Sequence, residues 1–90
     1  MEEIISKMSE GYGVLCKTEQ AANALMCALN AHGYTWKDGY YLTDRNYWKT
    51  FGNATVYQFH RRWDCSIDGV EYGSLQTTIE TGRPVVEFSL

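Results

Sequence analysis

At 90 residues the chain holds one domain's worth of sequence, residues 1–90. A domain of this size removes only about 60 to 65% of its unfolded surface from water, so one small core is available and two independent domains are excluded. Apolar residues at 44% and charged residues at 21% match globular averages and exclude a disordered tail or a fibrous repeat. The net charge of −3 is small for a nucleic-acid mimic, and its sign disfavours duplex DNA as a partner because few phosphates can be neutralised.

The chain opens Met1-Glu2-Glu3 with only Ile4, Ile5 and Met8 behind it. That pattern predicts neither a signal peptide nor a membrane-spanning helix, and so a soluble protein of the cytoplasm. Residues 12–17 read as a short strand with Tyr12, Val14 and Cys16 on one face, ending at Thr18, a good N-cap before Glu19. Ala21, Ala22, Leu25, Met26 and Leu29 then recur at helical spacing up to His32, and Gly33 has the place of a left-handed C-terminal cap. Two Asp-Gly pairs, Asp38-Gly39 and Asp68-Gly69, predict type I′ hairpin turns. The first is expected to pair residues 34–37 with 40–43, and the second a strand ending near Ile67 with residues 70–73. Between them, residues 55–62 alternate as a half-exposed strand with Tyr57 and Phe59 on one face and Gln58, His60 and Arg62 on the other.

Residues 43–53 show neither period and read as a loop with one helical turn. Residues 74–82 read as a loop or short helix turning Leu75 and Ile79 inward. Pro84 opens a last strand with Val86, Phe88 and Leu90 on one face, a position where proline is tolerated. The order predicts an α+β fold, one main helix packed on a small, mainly antiparallel sheet of four to five strands.

Cys16, Cys27 and Cys65 are an odd set without a C-x-x-C pair, so they read as free, buried thiols. With His32 and His60 they show no zinc-ligand spacing, which predicts no metal and no cofactor. No phosphate loop, H-E-x-x-H or G-x-S-x-G occurs, and Gly11-Tyr12-Gly13 lacks the rest of a dinucleotide fingerprint. A triad of Cys65, His60 and an acid is opposed by strand parity, which puts 60 and 65 on opposite faces. The expectation is a protein that binds and does not catalyse.

Charge and aromatic content are uneven along the chain. Residues 34–63 hold Lys37, Arg45, Lys49, Arg61 and Arg62 against Asp38 and Asp44, a net +3 between acidic ends, and ten of the thirteen aromatics. Tyr57, Phe59 and at least one of Trp36 and Trp48 are expected in the core. The rest exceed that need. Adjacent Tyr40 and Tyr41 point to opposite faces of a strand, so at least one is expected to meet solvent or a partner. Rings that stack on bases beside cations that hold phosphate suit a nucleotide or a single strand of nucleic acid. The candidate set is Tyr41 and Trp48 for stacking, with Arg45, Lys49, His60 and Arg62 for the anion. The outward helix positions Gln20, Asn23, Ala24, Cys27, Asn30 and Ala31 form an uncharged stripe of small residues, a candidate face for self-association or another partner.

The run from Cys16 to Ala21, then Leu25, Leu29 and the stretch His32 to Gly39, resembles small phage and prophage proteins in which a strand runs into a Lys-Thr-Glu helix start and the helix ends in Gly-Tyr-x-Trp-x-x-Gly. Tyr47-Trp48 and Val85-Val86-Glu87-Phe88 extend the similarity over most of 12–88. The resemblance implies a mobile-element origin and a stoichiometric inhibitor of bacterial anti-phage immunity in the host cytoplasm. Such a protein either sequesters a nucleotide immune signal, as anti-CBASS and anti-Thoeris sponges do, or occludes a host immune protein, as anti-CRISPRs do. The alternative is a single-stranded nucleic-acid-binding module.

Overall fold

The computed structural model describes all 90 residues. In chain order the elements are helix α1 (Glu2–Ser9), strand β1 (Gly13–Cys16), helix α2 (Glu19–Ala31), the short helix α3 (Trp48–Phe51), a 3-10 turn (Gly52–Ala54), strands β2 (Thr55–Arg61) and β3 (Ile67–Ser74), helix α4 (Leu75–Glu80) and strand β4 (Val85–Phe88). The strands form one sheet in the order β3-β2-β1-β4. β1–β2 and β2–β3 pair antiparallel, and β1–β4 pair parallel. The fold is mixed α+β with a four-stranded sheet.

The expected single main helix becomes four, of which α2, at 13 residues, is the longest. It starts where its sequence says it should. Thr18, in extended conformation, accepts the Ala21 N–H at 3.1 Å, and at the other end Gly33 takes φ +91 while Tyr34 N–H bonds back to the Leu29 carbonyl, a glycine-dependent C-cap. Its inward stripe of Ala21, Ala22, Leu25, Met26 and Leu29 is buried, each larger side chain contributing about 1.5–3 kcal/mol. α1 carries a signal that the polar N-terminus obscures. Ile5 and Met8 lie on one face and are buried, and Glu2 and Glu3 stand at its positive end.

Register sets which residues meet. Val14, Tyr57, Tyr72 and Val86 lie side by side across all four strands, and this face, with Cys16 and Phe59, packs on α1, α2 and the segment around Trp36 and Leu42. The opposite face is covered in part by α4. A Cβ on Gly13 would lie 2.6 Å from Val56 Cγ1 and 3.3 Å from Thr78 Cγ2, so β1 passes under α4 only because it begins with glycine. All four residues of β1 are therefore buried, instead of one face only. Within α4 it is Thr78, not Ile79, that turns inward: Thr78 is buried and Ile79 is 61% exposed. The Thr78 hydroxyl donates to the Ser74 carbonyl, so its polar atom is satisfied where Ile79 is not needed. Leu90 lies beyond β4 and is exposed.

Both Asp-Gly expectations need correction. At Asp38-Gly39 the turn forms, with Gly39 at φ +94 and its N–H on the Trp36 carbonyl, but no hairpin follows. Thr35 and Lys37 pair instead with Val70 of β3 in a short parallel bridge. Asp68 and Gly69 are not a turn at all; they lie inside β3. The reversal occurs earlier, where Arg62 N–H donates to the Ser66 carbonyl and Cys65 N–H to the Arg62 carbonyl, with Cys65 at φ +70. Asp64 accepts from the Ser66 N–H and hydroxyl, and these bonds hold its carboxyl below its ordinary pKa. Gly69 serves close approach: a Cβ there would sit 2.7 Å from the Lys37 Cα. Of the three cysteines only Cys16 is buried.

Candidate functional site

The irregular segment 34–51 is shaped by aromatic side chains whose polar tips reach back to the main chain. Trp36, buried under the segment, donates its indole N–H to the Arg45 carbonyl at 3.0 Å. Trp48 donates its own to the Cys16 carbonyl at 2.9 Å, and the buried Tyr57 hydroxyl donates to the Asn46 carbonyl at 2.5 Å. Burial raises the Tyr57 hydroxyl above its ordinary pKa, which keeps that donor in place. Asn46 completes the loop by accepting from the Trp48 N–H and donating to Glu19 and Asn23 on α2.

Tyr47 sits between these tethers in the left-handed region, φ 56, a conformation that costs a non-glycine residue about 1 kcal/mol. Its ring stacks on Tyr72 of β3 with centroids 4.7 Å apart and planes 8° off parallel, and Trp36 meets it edge-on at 5.0 Å. Tyr72 in turn has Trp36 at 6.0 Å and Phe51 at 6.2 Å. Pairs of this kind contribute about 0.5–1.5 kcal/mol each beyond area burial, enough to hold the strained backbone. The four rings form one wall of a groove of about 520 Å³, whose other wall is the outer edge of β3 from Val70 to Ser74 and the start of α4. Phe51 remains exposed at its rim.

The sequence-predicted residues do not converge here. Tyr41, 66% exposed, and Arg45 share a second concavity of about 420 Å³ with Tyr40, Asp38 and Asp44. Arg45 and Lys49 share a third, about 470 Å³, with Glu19 and Asn46. Trp48 lines none of the three; it is half-buried, packed against the core and tied by its indole N–H, so it is a structural ring and not a stacking platform. His60 and Arg62 lie along β2 with Asp68. Arg62 donates to Asp68 Oδ1 at 2.9 and 3.2 Å, and His60 Nδ1 faces Asp68 Oδ2 at 3.4 Å without hydrogen-bond geometry. Arg61 is occupied by the Cys65 and Ser9 carbonyls. Of the guanidiniums near the proposed phosphate site, those of Arg61 and Arg62 are thus partnered, and Arg45 lies apart from them in the second and third concavities.

On α2, Gln20, Asn23, Cys27 and Ala31 are exposed and Ala24 and Asn30 half-buried, and Asn23 is engaged by Asn46. No three His, Cys, Asp or Glu side chains gather in a way that could hold a metal ion, and no helix is long and apolar enough to cross a membrane. The groove residues Tyr47, Phe51 and Tyr72 are absent from the sequence-predicted set. The parity of Tyr57 and Tyr72 places the last on the aromatic side, but only the pairing of Trp36 with Val70 brings Tyr47 and Phe51 to it. Comparison of the chain with protein-family models, with curated proteins and with solved structures finds no match.

Proposed function

We propose that this protein is a non-enzymatic binding domain that acts by occupying another protein, with a segment of that protein docked in the aromatic groove beside β3. The observation that carries the reading is the groove: the rings of Trp36, Tyr47, Phe51 and Tyr72 wall an open space of about 520 Å³, with Phe51 exposed at its rim. Aromatic residues at a concave surface, with few charges, are the composition of interface centres. Given the resemblance to phage proteins, the biological form of this activity is a phage-encoded inhibitor that occludes a protein of bacterial anti-phage immunity, such as a CRISPR effector, in the host cytoplasm.

Sequestration of a nucleotide has one supporting observation, the exposed Tyr40 and Tyr41 rings around a concavity that also holds Arg45. Asp38 and Asp44 face the same space and repel phosphate, so this is the second reading. Single-stranded nucleic acid meets the same objection at every phosphate.

Random peptides displayed and selected on the domain test the proposal. Enriched peptides are expected to bind at micromolar Kd and to lose roughly tenfold on Phe51→Ser, a change at an exposed ring. Calorimetry against cyclic oligonucleotides and ADP-ribose is expected to show no heat of binding; tight binding abolished by Arg45→Ala overturns the protein-occluding reading in favour of the nucleotide one.

A further inference from the structure

β3 is an edge strand whose outer side is only half paired. In an antiparallel ladder, alternate residues turn N–H and C=O toward the partner strand and the residues between turn theirs outward. Val70 is an outward residue. Its N–H donates to the Thr35 carbonyl at 2.8 Å and its carbonyl accepts from the Lys37 N–H at 3.1 Å. The covering segment then leaves at Gly39. Tyr72, two residues on, faces the same way by parity, and its N–H and C=O open into the groove. An uncovered edge is a template for another strand, and here the space beside it is a groove and not a blocking side chain.

We infer that the groove takes an extended segment of a partner protein by strand addition, pairing with the Tyr72 main chain on the line that Thr35–Lys37 begins and alternating apolar with basic side chains. The inference rests on the reading of the groove as a protein-binding site and says how that site binds. Successive side chains of an added strand point to opposite faces. One set meets the rings of Tyr47, Phe51 and Tyr72. The other meets Glu71 and the space over Gly73, where a Cβ would find nothing within 4 Å. Asp38 and Glu71 against Lys37 leave the groove with an excess of negative charge, and the whole chain carries −3, so basic side chains complement it.

The test uses the peptides enriched on the domain, resynthesised with N-methyl groups at alternate positions. Methylation in one parity removes the N–H groups that face β3 and is expected to lower affinity roughly tenfold, while the other parity leaves it unchanged. In the complex, hydrogen exchange at the Tyr72 amide slows, and the Glu71 amide, already turned toward β2, does not change. Equal loss in both parities, or an unprotected Tyr72 amide, overturns strand addition and leaves the groove as a binding site. Failure to enrich any peptide removes the groove reading and this inference with it. Concentration-dependent Tyr72 protection in the free protein, with a doubled mass in light scattering, overturns the partner segment in favour of a second copy.

Discussion

Helix α2 and the segment 34–51 bury their side chains by different means. α2 presents Ala21, Ala22, Leu25, Met26 and Leu29 to the sheet, residues with no polar atoms, and its stability is a matter of shape and area. The segment 34–51 has no regular element before Trp48 and is held by hydrogen bonds from aromatic side chains: Trp36 to Arg45, Trp48 to Cys16, Tyr57 to Asn46. Those bonds occupy the N–H and O–H tips and leave ring faces for neighbours. A loop built this way keeps aromatic surface at the molecular boundary, which is where the groove lies. The helix turns its apolar stripe inward and meets the loop through the polar side chains of Glu19 and Asn23; it carries no aromatic ring to offer as surface.

The sharpest break of this contrast is at the helix. Leu25→Ala removes a fully buried side chain and is expected to cost about 3 kcal/mol, read from the urea midpoint; a loss as small as that of a surface change would mean that the α2 interface is not close-packed. At the junction of the two regions, Gly69→Ala places a Cβ 2.7 Å from the Lys37 Cα at φ +147. It is expected to cost about 2 kcal/mol and to speed hydrogen exchange of the Lys37 amide, which bonds to Val70, while α2 amides stay protected. Uniform deprotection would show the two regions opening as one.

A smaller effect isolates the hydrogen-bonded region. Tyr57→Phe keeps the ring and deletes the donor to Asn46, and about 1 kcal/mol should be lost, with broadened signals from residues 43–49 and none from α2. The smallest effect lies at the exposed C-terminal end of α2. The protonated His32 ring donates from Nδ1 to the Ala28 carbonyl at 2.9 Å and from Nε2 to the Glu2 carboxylate at 3.0 Å. The Ala28 bond first, and then Glu2, raise its pKa above the ordinary imidazole value. Because the folded pKa is the higher one, the protonated ring contributes stability that is fully present below the unfolded pKa and is lost as pH rises through the folded one. An NMR titration should place the His32 midpoint above that of a model peptide, and Glu2→Gln should lower it; an unchanged midpoint would assign the shift to the carbonyl alone. The Cys16 thiol, pushed up to about 12 by burial, should stay silent to thiol reagents while Cys27 and Cys65 react.

Local chemistry reads well along this chain where one residue decides an outcome alone. Thr18 caps, Gly33 ends, and the alternation of Tyr57 and Phe59 sets a strand face, because each depends on neighbours a few positions away. Asp68-Gly69 misleads for the opposite reason. The pair has the composition of a turn, but its glycine answers to the Lys37 backbone, 32 positions earlier in the chain. Arg62 and His60 likewise look free beside Trp63 until Asp68 comes opposite them across the hairpin. Trp63 itself stays 95% exposed.

Composition, hydrophobic period and capping residues determined α2, the central strands β1 and β2 and the aromatic character of the middle of the chain, since those follow from side-chain type and spacing. Which cations found Asp68 was decided when β2 paired with β3, and where the aromatic wall met a strand edge only when β3 paired with Trp36. Contacts between residues far apart in sequence carry no local periodicity, so only the closed sheet could select among them.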